Sequence, residues 1–495
     1  MNLRRGRTVV VLALLLTACS NDASVTVQRS LEPSASTTTP DQTAPTTSDT
    51  PAGELSAKAV LAAIGPSIAF VETPSASGSG VLLDNGFVLT NLHVIEPYRL
   101  VDLHFDGLST SFTDVPVVGV DYDTDIAVLG PITIDRPALT LADPSDLAKG
   151  DQLYLVGYPG EVDAEPEVTI TSGILSRVRL LADYEQTYLQ TDAAIAGGQS
   201  GGALVDGRGR VVGISGLSFA ETFALALSAS NAAKSVESIQ AGRGDAYETF
   251  PETGTTTTMT AELRDIDDQR IYGVHTGPAG EQLKLTFGET GSPLLWVSDD
   301  IGGDVFLSSA AIAFEGKRTG EDAEAIDQAI KDAADNPDAI GTEVSPTEFT
   351  FDLEPDSYYR LWVASSENGP ASISITTSIP VAEIVRHDDR VPLTVPAMID
   401  AQIGYLEDYR SYVLDLTDGQ SILVEASSPS SDMAFVVIGP GQNQYDGFYV
   451  DDSGEGLYGV DAGDTFTATT TGQHRILVYS MGGNGTSFRL AVTAA

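Results

Sequence analysis

Short apolar runs separated by glycine-rich turns fill the first half of the chain. Residues 81–83 and 87–89 are apolar and flank Asp-Asn-Gly at 84–86, a sequence that favours a tight turn between two strands. Further apolar runs follow at 115–120, 126–129, 153–156, 168–174 and 211–214. Many short strands with turn signals between them predict an all-β barrel or sandwich. Two helices are expected beside it, near 57–64 and 231–239.

Two polar stretches set the boundaries of this first folded region. Residues 20–53 are rich in Ser, Thr, Pro and Asp and contain scarcely a large apolar side chain. Such a segment cannot offset its ordering entropy, so we expect a disordered linker there. A second linker is predicted over 239–258, which includes four consecutive threonines. The folded domain is therefore expected over 54–238.

The C-terminal half contains an internal repeat. Residues 268–274 are echoed by 408–414, 282–285 by 420–424, and 359–363 by 474–478. Each copy is a series of alternating strands, which predicts two small β-sandwiches, at 259–380 and 381–495. The first copy carries an insertion with a helical pattern over 321–334.

The N-terminus has the order of a secretory signal over residues 1–19. Three arginines precede the apolar run 9–16, and Thr-Ala-Cys follows at 17–19. The run is too short to cross a bilayer, which needs about 20 apolar residues. Residues 16–19 resemble a bacterial lipobox, which implies that Cys19 is lipidated and begins the mature chain. The alternative is an ordinary cleaved signal with an incidental cysteine.

Composition excludes some partners and cross-links. Cys19 is the one cysteine, so no intramolecular disulfide can form. The chain has 70 acidic and 26 basic residues, a formal charge of −44. This charge argues against nucleic-acid binding, which needs a basic surface. It also argues against docking to anionic lipid, so a membrane attachment would depend on the acyl group at Cys19.

A glycine-dense segment holds the first candidate catalytic residue. Residues 197–202 read Gly-Gly-Gln-Ser-Gly-Gly. A nucleophilic serine needs space for the attacked carbonyl and backbone N–H groups aimed at the oxyanion. Ser200 is the candidate nucleophile, and the N–H groups of Gly198 and Ser200 are the candidate oxyanion donors. Taken alone, the segment is ambiguous, because turns rich in glycine and serine are often only structural.

A histidine and an aspartate complete a candidate triad. His93 lies in the segment 90–94, which directly follows the predicted strand 87–89, and imidazole suits a general base at neutral pH. A hydrogen-bonded structural histidine is the alternative. Asp125 precedes the apolar run 126–129, where it could orient an imidazole. His104 alternates with apolar neighbours and is expected to face solvent. The order His93, Asp125, Ser200 is one that triads use.

Three segments together resemble a known family. Residues 78–94, 123–129 and 191–202 are similar to trypsin-like serine proteases of the HtrA type, over about 54–238. The resemblance implies two six-stranded β-barrels with the active site between them, and peptide cleavage through an acyl-enzyme. His93 would be the general base, Asp125 its orienting acid and Ser200 the nucleophile, with no cofactor and no metal. Gln199 departs from the family's Pro-Gly-Asn before the serine, and no PDZ domain is evident.

The resemblance also suggests how a peptide would bind. A pocket for Lys or Arg needs a carboxylate at its floor, but Ala194 and Ile195 occupy that region, which favours a small or medium apolar side chain. Ser215, Gly216 and Leu217 form the strand expected to pair with the substrate backbone. The whole pattern predicts a lipid-anchored, extracytoplasmic serine endopeptidase acting on proteins or peptides. The alternative function is a surface binding module on a catalytically idle protease-like scaffold.

The predicted sandwiches resemble bacterial pre-peptidase C-terminal domains. The acidic stretch 446–464 could bind calcium, but its spacing matches no EF-hand, and a solvated loop is the preferred interpretation. Trp296 and Trp362 lie in strand patterns, which favours core or cross-strand pairs over a carbohydrate-binding platform.

Overall fold

The computed structural model describes most of the chain from residue 54 onwards. The described ranges are 54–160, 166–220, 223–251, 254–264, 268–277, 281–287, 293–299, 306–307, 341–345, 348–355, 357–365, 371–384, 390–406, 409–442, 446–451, 462–481 and 485–495. Within these ranges, no helix is both long enough and apolar enough to span a membrane. The predicted signal, the first linker and the helical insertion at 321–334 lie outside them.

The first barrel is closed by six antiparallel strands. They are β1 Ile68–Glu72, β2 Ser77–Leu82, β3 Val88–Asn91, β4 Leu100–Phe105, β5 Phe112–Asp121 and β6 Ile126–Leu129. Their spatial order is β1-β2-β3-β6-β5-β4, and β4 closes the barrel by pairing with β1. The alternation of exposed and buried residues along β4 shows how one face of each strand fills the interior.

The second barrel repeats this arrangement. Its strands are β7 Gln152–Gly157, β8 Thr169–Leu181, β9 Gln186–Thr191, β10 Ala203–Asp206, β11 Val211–Ala220 and β12 Phe223–Ser228, in the closed order β10-β11-β12-β9-β8-β7. One buried cluster contains residues of both barrels, including Val81 and Val128 from the first and Val156 and Ile214 from the second. The prediction of an all-β fold with a trypsin-like double barrel is confirmed.

Short helices flank the barrels. They are α1 Ala57–Ile64, α2 Leu92–Ile95 and α3 Ala229–Gln240, with single 3₁₀ turns at Gly65–Ser67, Asp84–Gly86 and Ala182–Tyr184. Ser56 and Ser228 cap α1 and α3 by accepting hydrogen bonds from backbone N–H groups in the first turns. The one-turn helix α2 directly continues β3, so it holds its residues at the end of the first barrel.

The first C-terminal unit has nine strands in two parts, and one long strand belongs to both parts. Its strands are β13 Thr256–Leu263, β14 Gln269–His275, β15 Glu281–Phe287, β16 Pro293–Asp299, β17 Phe306–Leu307, β18 Gly341–Ser345, β19 Glu348–Leu353, β20 Tyr358–Ser365 and β21 Ala371–Glu383. The first part of β21 pairs with β13 and β15, and its last residues pair with β14. Both parts of the arrangement contribute to one buried apolar core.

The second C-terminal unit consists of two separate sheets around a core. Its strands are β22 Val391–Pro392, β23 Ala397–Ile403, β24 Tyr409–Leu416, β25 Ser421–Ser427, β26 Met433–Ile438, β27 Phe448–Val450, β28 Ala462–Thr467, β29 Gly472–Ser480 and β30 Thr486–Ala494. The sheets have the orders β22-β24-β29-β26-β27 and β23-β30-β25-β28. Buried side chains from both sheets, such as Ile422 and Phe435, form the core of a β-sandwich. We refer to this unit as the second sandwich.

The two C-terminal units share a pairing scheme. In the first unit β14 pairs with β20, β15 with β19, and β13 with β21; in the second the equivalent pairs are β24 with β29, β25 with β28, and β23 with β30. Trp296 and Trp362 lie opposite each other in β16 and β20, and Trp362 is buried. Residues 452–461 of the acidic stretch lie outside the described residues.

Candidate active site

His93 and Asp125 meet because the strands before and after them are paired. His93 lies in α2 directly after β3, Asp125 directly precedes β6, and Asn91 is opposite Ile126 in the β3–β6 pair. His93 Nδ1 is 2.6 Å from Asp125 Oδ2, and the His93 N–H donates to Asp125 Oδ1 at 2.9 Å. The carboxylate thus binds both the ring and the backbone of one residue, which fixes the ring orientation and leaves Nε2 as the nitrogen available to accept a proton.

The backbone of Asp125 is held in an uncommon conformation. Its φ is +55°, in the left-handed region, where a non-glycine residue is strained by about 1 kcal/mol or more. The Leu92 N–H and the Asn91 side-chain amide both donate to the Asp125 carbonyl oxygen, at 3.0 and 2.9 Å. These bonds hold the backbone of Asp125 in this conformation.

The electrostatic surroundings of His93 favour its protonated form. Burial lowers the pKa of the imidazole, but the charge of Asp125, the hydrogen bond to Asp125 and the nearby Glu96 carboxyl outweigh it, so the pKa is raised above the ordinary 6.5. The side chain is still 24% exposed. An imidazole that is stabilised when protonated and remains accessible is suited to take a proton and return it.

The turn that carries Ser200 is held by the first barrel. The Ser79 N–H on β2 donates to the Ser200 carbonyl at 2.7 Å. The Ser79 hydroxyl donates to the Gly198 carbonyl at 2.9 Å and accepts from the Tyr158 N–H at 2.8 Å. Ser79 is fully buried. One side chain of the first barrel therefore connects two segments of the second.

Two glycines of this turn have no room for a side chain. Gly201 has φ +81°, and a Cβ there would lie 2.0 Å from the Ser79 carbonyl oxygen. Gly198 has φ +84°, and a Cβ would lie 2.4 Å from the Gly160 nitrogen. Both need glycine for conformation and for the close approach of backbone.

Gln199 acts inside the turn. Its side chain is only 2% exposed, its Oε1 accepts from the Ala196 N–H at 2.8 Å, and its Nε2 donates to Thr169 Oγ1 at 3.4 Å. The Gln199 N–H also donates to the Ala196 carbonyl. The residue that departs from the family pattern thus supports the loop in front of the serine, a role that its sequence position alone did not show.

The segments bearing the three candidate residues converge around Gly78. A Cβ on Gly78 would lie 2.5 Å from Val94 Cγ1 and 3.2 Å from the Ser200 carbonyl oxygen, so the neighbour of His93 and the serine pack on the same strand residue. Among the contacts of the described residues, Ser200 Oγ makes no hydrogen bond to the imidazole. In proteases without substrate, such a contact is often long and tightens on binding.

The candidate oxyanion donors are available. Within the described part of the chain, the N–H groups of Gly198 and Ser200 donate to no protein acceptor. The same turn holds them on either side of Gln199. A developing oxyanion could therefore be met by both groups without breaking an existing bond.

The predicted peptide-binding residues lie next to the turn. Ser215 is buried, and its backbone bonds to Gly201 and Gly202. Beyond Ile214, β11 pairs with β12 on one side, whereas β10 pairs with β11 only up to Ile214. On the side that β10 leaves open, Gly216 and the backbone of Leu217 therefore have no strand partner among the described residues; the Leu217 side chain is outside the description.

The residues proposed for the side-chain pocket precede the serine. Ala194 is exposed, and Ile195 is partly buried against the core of the second barrel. The nearby Asp192 carboxylate accepts from the Ile174 N–H at 2.7 Å, so it is bound to β8. No group of three or more His, Cys, Asp or Glu that could hold a metal occurs among the residues that the structure describes. His104 is partly exposed and lies 3.0 Å from Glu72, away from the triad segments.

Glu96 is a buried acid that sequence reasoning missed. It is 2% exposed, and its Oε2 accepts from the Gly485 N–H at 3.0 Å. Burial raises the pKa of this carboxyl to about 8; the Gly485 hydrogen bond opposes the shift, and the charge of Asp125 adds to it. The sequence does contain one sign of this residue, because Glu96 is an acid three residues after His93 in an otherwise apolar segment.

Comparison with known proteins identifies the first folded region. Residues 78–214 match the family model described as a trypsin-like peptidase domain. The periplasmic serine endoprotease DegP of Escherichia coli K12 is 38% identical over 149 residues, 28% of this chain and 29% of that protein. Serine protease HTRA1 of Xenopus tropicalis is 35% identical over 164 residues, 30% of this chain and 34% of that protein. The chain thus spans about a third or less of the length of the curated relatives it matches.

Solved structures of the same type also match. The HtrA-type protease AlgW with tripeptide is 29% identical, with a TM-score of 0.34, and the match covers 42% of this chain and 69% of that one. A serine endoprotease from Yersinia pestis is 30% identical, with a TM-score of 0.33, over 38% of this chain and 68% of that one. Residues 78–214 are a trypsin-like peptidase domain similar to those of HtrA and DegP proteases.

Proposed function

We propose that this chain is an exported, lipid-anchored serine endopeptidase that cleaves peptide bonds through an acyl-enzyme. His93 is the general base, Asp125 orients it, and Ser200 is the nucleophile. The observation that carries the proposal is the 2.6 Å contact between His93 Nδ1 and Asp125 Oδ2 beside a turn whose Ser200 backbone is fixed by the first barrel. The match of residues 78–214 to a peptidase domain supports it.

In acylation, His93 Nε2 takes the Ser200 hydroxyl proton while Oγ attacks the scissile carbonyl carbon. The carbonyl π electrons move to oxygen, and the N–H groups of Gly198 and Ser200 stabilise the resulting oxyanion. Asp125 stabilises the imidazolium. When the intermediate collapses, the C–N bond breaks, and His93 gives its proton to the departing amine.

In deacylation, water replaces the amine. His93 removes a proton from the water as its oxygen attacks the ester carbon, and a second oxyanion forms in the same place. Collapse breaks the bond to Ser200 Oγ, which recovers a proton from His93. The raised pKa of His93 favours the imidazolium that forms in each attack step, and the same proton is returned when each intermediate collapses.

A fluorophosphonate probe tests the nucleophile directly. The folded mature protein should be labelled at Ser200, and Ser200→Ala should abolish labelling. Ser145→Ala is a matched control, since that hydroxyl is exposed and donates to the neighbouring Asp143 carboxylate at 2.9 Å. A folded protein that is not labelled would support the binding-module alternative.

The chemistry of the substrate side chain follows from the turn before Ser200. Ala194 and Ile195 supply no charge, and the Asp192 carboxylate is bound to the Ile174 N–H. Peptides with Val, Ala or Leu before the scissile bond should therefore be cut faster than peptides with Lys or Arg. A peptide-library digest that ranks Lys and Arg first would contradict this preference.

Attachment to the outer face of the cell membrane rests on the N-terminal sequence. The charged start, the apolar run and Cys19 support export and lipidation, and the relatives named as periplasmic endoproteases support an extracytoplasmic site. Labelled palmitate should enter the parent protein and not Cys19→Ser, which should also leave the membrane fraction. Incorporation into both proteins would contradict lipidation at Cys19.

A further inference from the structure

The second sandwich contacts the segments that hold His93 and Asp125. The Ser430 hydroxyl donates to the Tyr122 carbonyl at 3.1 Å, and the Ser487 hydroxyl donates to Asp123 Oδ1. Both acceptors lie in the short turn between β5 and β6 that ends at Asp125. We call Ser430, Gly485 and Ser487 the sandwich contact.

Gly485 reaches the other catalytic segment. Its N–H donates to Glu96 Oε2, and Glu96 caps the C-terminal end of the one-turn helix that contains His93. A Cβ on Gly485 would lie 2.4 Å from Glu96 Oε1 and 2.5 Å from Tyr122 Cε1. A side chain at Gly485 would therefore force Glu96 or Tyr122 to shift, although the backbone of Gly485 is not in the left-handed region.

The same sandwich also touches the second barrel. The Tyr184 hydroxyl is 2.9 Å from Ser427 Oγ, and Arg489 lies over the Tyr184 ring at 5.7 Å. Ser430 lines a small internal cavity together with Asn91 and Asp125. The loop after β25 thus enters the space between the barrels beside the catalytic aspartate.

An aromatic cluster adds a second attachment beyond Glu96. Tyr98 packs against Phe250 and against Tyr358 of the first C-terminal unit, and the rings of Phe250 and Tyr358 stack 4.7 Å apart. The Phe250 N–H donates to the Pro97 carbonyl at 3.2 Å. Leu406 of the second sandwich belongs to the same buried cluster. The segment after His93 is therefore enclosed by both C-terminal units.

We propose that the second sandwich is an intramolecular clamp that positions His93 and Asp125 for catalysis, with the sandwich contact and Glu96 as positioning residues. The inference rests on the proposed peptidase function. Its physical basis is that Asp125 has a strained backbone in a short turn, and such a conformation persists only where the surroundings over-determine it. The sandwich contact supplies two of the bonds that hold this turn.

The clamp differs from simple attachment in its effect on turnover. If the sandwich were only tethered, loss of its contacts would leave the geometry of the triad unchanged. If it positions the triad, the loss should lower kcat and leave KM nearly constant, because, within the described part of the chain, none of the hydrogen bonds of the sandwich contact goes to the peptide-binding strand. Misplacement of a catalytic group by a fraction of an ångström is sufficient for a measurable loss.

The test uses the mature protein with two independent changes to the sandwich contact. One variant is Ser430→Ala with Ser487→Ala, and the other is Gly485→Ala. The control is Ser421→Ala, because that hydroxyl lies in the same sandwich and pairs with Thr467 at 2.8 Å. Hydrogen exchange of segments 92–98 and 121–126, kcat, KM and the rate of fluorophosphonate labelling are measured for each.

Both contact variants should exchange faster in the two segments while β24 and β29 remain protected. Their kcat and labelling rate should fall roughly tenfold, with KM changed by less than about twofold. The control should match the parent. Unchanged exchange, faster exchange with unchanged kcat, or an increase in kcat would each overturn the clamp.

The result is separable from the proposed function. A parent protein that neither hydrolyses peptides nor reacts with the probe contradicts the peptidase function. The exchange measurements would then still show whether the sandwich holds the two segments. An active parent with unaffected variants contradicts the clamp alone.

Discussion

Gly485 and Glu96 lie 389 positions apart in the chain and are joined by a 3.0 Å hydrogen bond from the glycine N–H to the carboxyl Oε2. Glu96 follows His93 by three residues, so this bond connects the C-terminal sandwich to the segment of the proposed general base. The carboxyl is buried, and its ionisation should affect the stability of the folded chain.

Replacing Glu96 by glutamine should make folding less sensitive to pH. The pKa of Glu96 is about 8 in the folded protein and near 4.5 when unfolded. Between these values the folded state binds the extra proton, so the free energy of unfolding falls as pH rises, by about 3 kcal/mol from pH 4.5 to 7. Glu96→Gln cannot ionise, and its stability advantage over the parent should grow across this window.

Denaturant unfolding at pH 5 and pH 8 checks this expectation, and an advantage that does not grow with pH would contradict it. The groups that face Glu96 and are common to both proteins are His93, Asp125, Tyr122, Tyr247 and Glu248. Comparison of the two proteins at each pH cancels the titration of these groups to first order.

Removing the charge of Asp125 should reduce catalysis and shift its pH profile. Asp125→Asn should lower kcat by roughly 10³- to 10⁴-fold, because the imidazole loses the partner that fixes its tautomer. In the parent, the acid limb of kcat/KM should lie above pH 6.5, since the net effect of burial and the Asp125 charge is to raise the pKa of His93. In the variant, the limb should move to lower pH. A variant with an unchanged limb would argue against His93 as the titrating base.

The Gln199 side chain should matter for turnover more than for binding. Gln199→Ala removes the 2.8 Å acceptor of the Ala196 N–H, which should cost about 0.5–1.5 kcal/mol of stability. The loosened turn should lower kcat by about 10- to 100-fold. Gln199→Asn keeps an amide and should recover part of the activity. Equal kcat for parent and alanine variant would contradict a positioning role.

Ser79 should be essential for holding the two barrels together at the serine turn. Ser79→Ala removes the acceptor of the Tyr158 N–H, in buried surroundings, and the donor to the Gly198 carbonyl, in partly buried surroundings. We expect a loss of about 2–4 kcal/mol in unfolding free energy and slower labelling of Ser200. Ser145→Ala, whose hydroxyl is exposed, should change neither. Calorimetry and labelling kinetics check both.

The local patterns in the sequence predicted the strands and the order of the site segments well. The apolar runs at 126–129 and 153–156 coincide with β6 and β7, because alternation and turn signals are local properties. The internal repeat predicted that β14 and β24 have equivalent positions, and their partners β20 and β29 agree. His93 and Asp125 come together because β3 pairs with β6. The order of the motifs does not reveal this pairing, and it was expected only from the family resemblance.

The roles of Glu96, Ser79 and Gln199 could not be predicted in the same way. The contact between Glu96 and Gly485 depends on how whole domains pack, and no local pattern records such a pairing. Ser79 lies in a glycine-serine strand that looks like an ordinary turn-rich segment, and its function depends on a partner 119 residues away. The sequence showed that Gln199 departs from the family motif. It did not show that the side chain points into the turn, because that direction depends on the surrounding backbone.

The cluster formed by Tyr98, Phe250, Trp362 and Leu406 belongs to three folded parts of the chain at once. Aromatic surface that is shared in this manner cannot be divided without exposing it to water. A truncated form that retains only the barrels would therefore expose an aromatic surface close to the segment of His93. The peptidase domain and the C-terminal half therefore cannot be moved separately into another protein without redesign of that exposed surface.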